Sequence, residues 1–118
     1  MKYKATITSI GDFALQLIQL RDSIIIFDKD VCDAYANMVV SHTKGEVTED
    51  PVVGDKVILA DIEYHIIDIG EDAIKNLRTN GHVTFIFNDK MTAEMSGQII
   101  LGGNKSPRVM VGDTIEIF

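Results

Sequence analysis

The chain of 118 residues carries 18 acidic and 11 basic residues, which gives it a formal net charge of −7. This acidity, with no basic stripe in the sequence, disfavours a nucleic-acid partner. Hydrophobic residues make up 46% of the chain and charged residues 25%, which is ordinary globular usage rather than the composition of a disordered segment. We expect one domain spanning residues 1–118.

The first third of the chain mixes strand and helix signals. Lys2–Ile10 alternates between apolar and polar residues, which predicts a half-buried strand. The apolar residues of Phe13–Leu20 have too mixed a spacing to choose between helix and strand. Ser23–Phe27 is rich in β-branched residues and predicts a buried strand, whereas Asp28–Met38 repeats its apolar residues at helical intervals and predicts a helix.

The remaining two thirds consist mainly of short strand signals. One further helix is predicted over Glu71–Thr79, where acidic residues open the first turn and Asn80-Gly81 supplies a left-handed stop. The strands predicted here are Val39–Thr43, Lys56–Ala60, Glu63–Ile69, Val83–Phe87, Gly97–Leu101 and Thr114–Phe118. We therefore predict an all-β protein, a small closed or partly open barrel of about seven strands with one or two short helices.

Two short segments of the sequence echo each other. Val53-Gly54-Asp55 and Val111-Gly112-Asp113 each stand immediately before a predicted strand. Because Gly-Asp before a strand is a common turn in small barrels, we interpret the echo as a local turn signal rather than as a trace of an internal repeat.

The sequence also bears on the compartment. The single cysteine, Cys32, cannot form an intrachain disulfide, and no apolar stretch of the signal-peptide kind follows Met1. Aliphatic runs such as Ile24–Phe27 are far too short to span a bilayer. We expect a cytoplasmic protein that does not insert into a membrane.

Several kinds of chemical site lack their usual motifs in this sequence. The three histidines, His42, His65 and His82, share no close metal-binding motif with each other or with Cys32. No GxSxG nucleophile elbow is present, and Gly102-Gly103-Asn104-Lys105-Ser106 lacks the spacing of a phosphate-binding loop. We expect neither a metal nor another cofactor.

His42 has the most suggestive surroundings of the three histidines. A phosphohistidine site needs a neutral imidazole with one free ring nitrogen, together with groups that hold the phosphate oxygens. The Thr43 hydroxyl, the Lys44 ammonium and the backbone amides around Gly45 would supply such groups. An ordinary surface or structural histidine fits the same pattern, so spacing alone leaves both readings open.

Three blocks of the sequence carry a resemblance to a known family. Ser41–Val47 (SHTKGEV) resembles the phosphorylation-site segment of the glucitol/sorbitol-specific enzyme IIA family of the bacterial sugar phosphotransferase system. Asn76–Phe85 is similar to that family's Asn-Leu-Arg…Gly-His-Val-Thr stretch, which is the most specific block. Ala93–Gly97 is similar to its Ala-Glu-x-x-Gly turn, so the resemblance covers nearly the whole chain.

The resemblance implies a small all-β barrel with His42 as the phosphoacceptor. The histidine-containing phosphocarrier protein would supply the phosphoryl group, and the IIB/IIC components of a glucitol/sorbitol permease would receive it. We therefore expect the His42 ring to be accessible to a visiting protein. The oligomeric state stays open.

The resemblance also bears on His82 and Lys44. His82 matches the family's second histidine, and we hypothesise that it approaches His42 and stabilises the phosphoryl group; a structural role at the helix end is the alternative. At Lys44 the chain departs from a relative in this family that carries His-x-His-Gly-Glu, with a second histidine in place of the lysine, although a lysine can still stabilise phosphate as a point charge.

Two other functions are compatible with the sequence. A non-catalytic regulatory or ligand-binding barrel that retains the fold would have a His42 that is buried or unable to accept phosphate. A free-standing small-molecule enzyme is the other, but no acid–base pair in the sequence supports it.

Overall fold

A computed structural model describes residues 1–28, 37–87, 92–103 and 107–118. Its strands are β1 (Tyr3–Ile10), β2 (Ser23–Phe27), β3 (Val39–His42), β4 (Lys56–Leu59), β5 (Ile62–Ile69), β6 (Val83–Ile86), β7 (Gln98–Gly102) and β8 (Thr114–Ile117). Its helices are α1 (Ala14–Arg21) and α2 (Ala73–Asn80). The prediction of a mainly β protein is confirmed, with eight strands in these ranges rather than about seven.

The eight strands close into one barrel in the order β1-β3-β2-β6-β7-β5-β4-β8, with β8 pairing back to β1. All neighbouring pairs are antiparallel except β2–β3 and β6–β7, which are parallel. Because the barrel is closed, each described strand pairs with a neighbour on both sides. The inward-facing side chains fill the interior of the barrel.

The apolar residues that alternate along the strands form the hydrophobic core inside the barrel. Tyr3, Ala5 and Ile7 of β1 are each at most 2% exposed, as the alternating pattern of Lys2–Ile10 predicts. Val83 and Phe85 of β6 likewise face inward. The inward rows of the strands meet in one hydrophobic cluster, so burial of apolar surface is the main force that holds the barrel closed.

Helix α1 forms in the segment whose apolar residues follow neither a helix nor a strand period. Ala14 and Ile18 face the barrel, while Leu15 and Leu20 are 48% and 79% exposed. Because leucines lie on the outer face as well, the segment has no clean amphipathic stripe. The helix predicted over Asp28–Met38 falls mostly on residues 29–36, which lie outside the described residues.

The barrel is built from two similar halves related by an approximate twofold axis. The order β1-α1-β2-β3-β4 recurs as β5-α2-β6-β7-β8, and exchanging the halves leaves the circular strand order unchanged. The pair Ile25 and Thr84, in β2 and β6, and the pair Ile58 and Glu116, in β4 and β8, lie on the axis. Both β1 and β5 also contain a bulge at corresponding positions.

The echoing sequence segments occupy corresponding turns of these halves. In each turn the glycine has a φ of +96° and the aspartate Oδ2 accepts a hydrogen bond at 2.8 Å from the backbone N–H three residues earlier, with Gly54 and Asp55 in one turn and Gly112 and Asp113 in the other. The interpretation as a local turn signal was therefore too narrow, because the echo belongs to a structural repeat.

The helices bear on membrane insertion in one respect. Among the described residues no helix has the length and apolarity that crossing a bilayer requires.

Candidate functional site

His42 is the last residue of β3, which lies between β1 and β2 in the barrel. It follows the inward-facing Val40 by two residues, so the pleat directs its side chain inward. His42 is 3% exposed. The expectation of an accessible ring is therefore wrong for this conformation of the protein.

Both ring nitrogens of His42 contact backbone carbonyl oxygens. Nδ1 lies 2.7 Å from the Thr43 oxygen, and Nε2 lies 2.8 Å from the Gly81 oxygen. A neutral imidazole has a single N–H and donates to only one of these oxygens, so the lone pair of its other nitrogen then faces the second carbonyl. That lone pair is free to react with another group only when one of the two carbonyls moves away.

Gly81 fits closely between His42 and the end of β2. It is the C-cap of α2 with a φ of +58°, which confirms the left-handed stop predicted at Asn80-Gly81. A β-carbon at this position would lie 2.6 Å from His42 Cε1 and 2.7 Å from Asp28 Cβ. Only glycine lets the helix end approach the imidazole this closely.

Asp28 and Tyr3 complete a buried polar cluster around the imidazole, here called the Tyr3–Asp28–His42 cluster. The parallel ladder pairs Phe27 with Ser41, so the next residues, Asp28 and His42, lie side by side. The Tyr3 ring meets the His42 ring edge-on, with centroids 6.2 Å apart. Sequence analysis missed both residues, because Tyr3 reads as a core residue of the first strand and Asp28 as the start of a predicted helix.

Two oxygens of this cluster are unsatisfied. The Tyr3 hydroxyl and Asp28 Oδ1 are buried, and neither has a hydrogen-bond partner in the described part of the chain. Burial, with a further contribution from the Asp28 charge, raises the pKa of Tyr3 to about 12 against a smaller lowering effect of the nearby Gly45 N–H, so the hydroxyl stays protonated. Unsatisfied buried polar groups are uncommon in proteins and each costs free energy.

The other half of the barrel provides an internal comparison. Ile7 of β1 pairs with His42, and at the corresponding place Ile66 of β5 pairs with Leu101. Tyr3 and Ile62 each begin the first strand of their half, while Asp28 and Phe87 each follow the second. The counterparts of the polar cluster are therefore Ile62, Phe87 and Leu101. Since the same backbone accepts apolar residues there, the fold itself does not require the polar side chains.

The three residues predicted to stabilise phosphate follow His42 directly. Thr43 and Lys44 are exposed, and the Thr43 hydroxyl already accepts a hydrogen bond of 2.9 Å from the Thr6 N–H. Gly45 packs on Tyr3, since a β-carbon there would lie 2.7 Å from Tyr3 Cζ. Of these three residues, Gly45 thus lies against the ring of Tyr3.

Arg78 is a second cation beside this segment. Its guanidinium donates to Asp50 Oδ1 and to the Val47 carbonyl oxygen, the latter at 3.1 Å. Together with Lys44 it lines an open depression of about 450 Å³. The sequence analysis noted Arg78 only as part of a family block, because its proximity to Lys44 depends on the fold.

His82 does not approach His42 in the structure. Its ring stacks on Phe27, with centroids 4.6 Å apart and planes at 29°, on the side of β2 opposite to the inward-facing residues. Burial lowers the pKa of His82. This packing fits the alternative that the sequence left open for His82, a structural role at the helix end.

The described residues contain no group of three or more His, Cys, Asp or Glu side chains placed to hold a metal ion.

The fold defines a class of protein through a structural comparison. The chain is similar to the crystal structure of the PTS system IIA component from Enterococcus faecalis V583, with a TM-score of 0.84 and 27% sequence identity over 96% of this chain and 97% of that one. The class is thus that of the IIA components of the sugar phosphotransferase system.

The particular family follows from the sequence. The family model of the PTS system glucitol/sorbitol-specific IIA component matches residues 2–116, and the chain belongs to this family. The resemblance of the three sequence blocks is confirmed. A search of curated proteins found no match.

Proposed function

We propose that the protein carries a phosphoryl group on His42, taking it from the histidine-containing phosphocarrier protein and passing it to the IIB component of a glucitol/sorbitol permease. Membership of the IIA family gives the phosphocarrier role. The observation that supports His42 is the buried polar cluster around it, whose counterparts in the other half of the barrel are apolar.

The reaction is a displacement at phosphorus. A lone pair on a His42 ring nitrogen forms a new N–P bond, while the N–P bond of the donor histidine breaks and returns its electron pair to that ring. The other His42 nitrogen keeps its N–H and donates it to a backbone carbonyl, which fixes the tautomer and the plane of the ring. Onward transfer repeats the displacement with the IIB side chain as nucleophile.

Burial of the imidazole means that the partner must open the site. Thr43 and Lys44 are exposed, and the Thr43 carbonyl is one of the two groups that face the ring. Docking of the phosphocarrier would displace this short segment, a local rearrangement of the kind common in transient complexes. The displaced segment would then bring the Thr43 hydroxyl, the Lys44 ammonium and the Gly45 N–H to the phosphate oxygens.

The compartment and the place of sugar recognition are proposed from membership of the family. We place the protein in the cytoplasm, where its partners would be found, and assign sugar recognition to the permease. His82 would reach the phosphoryl group only after leaving its stack on Phe27. The oligomeric state is left open.

One observation favours a second candidate function, a non-catalytic regulatory barrel. His42 is 3% exposed and both of its nitrogens contact carbonyl oxygens, as expected of a histidine that serves the structure. Such a protein would bind its partners without accepting phosphate.

Phosphorylation by purified components separates the two functions. The protein is incubated with phosphoenolpyruvate, enzyme I and the phosphocarrier protein, and an acid-labile phosphate is sought by intact mass. We expect one phosphate on the wild type and on His65→Ala, the exposed-histidine control, and none on His42→Ala. Labelling that persists in His42→Ala, or that is lost only in His82→Ala, contradicts the assignment, and an unlabelled wild type favours the regulatory barrel.

A further inference from the structure

Among the residues that the structure describes, the Tyr3 hydroxyl is one of two unsatisfied buried polar groups, with Asp28 Oδ1, to which the proposed mechanism assigns no role. Tyr3 is 1% exposed, and within the described ranges its O–H donor has no hydrogen-bond acceptor. Leaving a buried donor unsatisfied costs free energy, so a purely structural tyrosine would be replaced by phenylalanine at no loss. A hydrogen-bond acceptor that reaches the hydroxyl only in another state of the protein would offset this cost.

The barrel does not need this hydroxyl. Ile62, the counterpart of Tyr3, begins β5 as Tyr3 begins β1 and packs against the core without any polar atom. The aromatic ring of Tyr3 is sufficient to fill the interior beside His42. The Tyr3 hydroxyl oxygen has no counterpart at the corresponding position of the other half.

The surroundings of the hydroxyl place it close to the reacting imidazole. The Tyr3 and His42 rings meet edge-on, and Gly45 lies against Cζ, the carbon that carries the hydroxyl. Gly45 is two residues from Thr43, whose carbonyl oxygen contacts His42 Nδ1. The hydroxyl-bearing carbon thus lies beside Gly45, in the short segment that we propose is displaced on docking.

We propose that the Tyr3 hydroxyl donates a hydrogen bond to a phosphate oxygen of phosphorylated His42, an inference that rests on the proposed function. Tyr3 keeps its proton throughout, so the bond changes at phosphorus are those of the displacement alone. The hydroxyl is unsatisfied before transfer and satisfied after it, so its hydrogen bond favours the phosphorylated state over the free state. With its pKa raised to about 12, the group remains a donor over the physiological range.

The test compares Tyr3→Phe with the wild type. Phenylalanine keeps the ring that packs on His42 and removes only the hydroxyl. Each protein is mixed with purified phosphorylated phosphocarrier, and the equilibrium fraction of phosphorylated protein is measured by intact mass. Because a hydrogen bond to a charged group is strong, we expect the transfer equilibrium constant to fall about tenfold to a hundredfold.

Tyr64→Phe is the matched control. Tyr64 is also buried, at 2% exposure, but its ring packs against Phe87 in the other half of the barrel. We expect its transfer equilibrium and the ³¹P resonance of its phosphohistidine to match those of the wild type. In Tyr3→Phe that resonance should shift, because a phosphate oxygen has lost its donor.

A urea titration of the unphosphorylated proteins distinguishes binding from structure. We expect the midpoint of Tyr3→Phe to equal or exceed that of the wild type. An unchanged transfer equilibrium in Tyr3→Phe, or a weakened one accompanied by a lower urea midpoint, would overturn the inference while leaving His42 as acceptor. A wild type that accepts no phosphate would overturn the proposed function itself.

Discussion

Gly81 is the residue on which the geometry around His42 depends most directly. Replacement by alanine would place a β-carbon against His42 Cε1 and Asp28 Cβ at a backbone φ of +58°. The left-handed backbone and the overpacking together should cost about 2–4 kcal/mol of unfolding free energy, measured by urea titration. Phosphorylation at His42 should fall as well, because the ring is displaced.

Gly54→Ala separates the two contributions. Gly54 has a φ of +96°, but nothing lies within 4 Å of the β-carbon that alanine would add. We expect a loss of about 1–2 kcal/mol from the backbone alone and normal phosphorylation. Equal losses in the two variants would show that the contact of Gly81 with His42 carries no energetic weight.

His82 makes stability depend on pH. Burial lowers its pKa in the folded protein, so the unfolded chain binds a proton first as the pH falls below about 6.5. This contribution to stability is present above that pH and is lost on acidification. His82→Phe, which preserves the stack on Phe27, should lose less stability than the wild type between pH 7.5 and pH 5.5 in urea titrations. Identical losses would contradict the burial of the ring.

Sequence patterns alone proposed part of the candidate site. His42, Thr43, Lys44 and Gly45 are contiguous, so a short motif sufficed to find them. Tyr3 and Asp28 belong to the site only because β1 and β2 flank β3 in the barrel, and the parallel register of β2 and β3 is not encoded in any local pattern. Burial of the imidazole likewise follows from the pleat and from Gly81, which lies far along the chain.

The two corresponding turns offer a comparison at the level of elements. Asp113→Ala removes one side-chain hydrogen bond, to the Met110 N–H, and should cost about 1 kcal/mol. Asp55→Ala should cost more in the same urea titration, because Asp55 also accepts a hydrogen bond from Lys2 Nζ at 2.6 Å. Equal costs would mean that the bond from Lys2 adds nothing.

The same turn predicts an acid-sensitive contribution. Burial alone would raise the pKa of Asp55, but hydrogen bonds from Lys2 and from the Val52 N–H outweigh it and hold the pKa below the usual value. The carboxylate therefore stabilises the fold above about pH 4, and this contribution disappears as the pH falls further. The stability difference between the wild type and Asp55→Asn should shrink between pH 5 and pH 3. A constant difference would contradict the prediction.

Strands were easier to predict than the first helix for a physical reason. Alternation in Lys2–Ile10 follows directly from one buried and one outer face, and β1 forms there. In α1 the exposed face carries Leu15 and Leu20 beside the buried Ile18, so hydrophobicity alone does not mark the face that packs. Its position against β2 is set by the barrel.

At the scale of the whole molecule, the barrel is a symmetric scaffold with one specialised half. Composition and strand count predicted the class of fold, but the circular order of strands depends on pairings between residues distant in the chain, such as Ile26 with Val83. The twofold relation became visible only when those pairings were known. Polar residues lie around His42, whereas the residues at the corresponding positions of the other half are apolar.

The central claim is that His42, although buried at rest, forms the bond to phosphorus. The most direct measurement is ¹⁵N NMR of the phosphorylated protein with labelled histidines, in which a nitrogen bonded to phosphorus shows coupling to ³¹P. We predict this coupling on one ring nitrogen of His42 and a retained N–H on the other. Coupling on His65 or His82, or its absence from all histidines of a protein that carries phosphate, would contradict the claim.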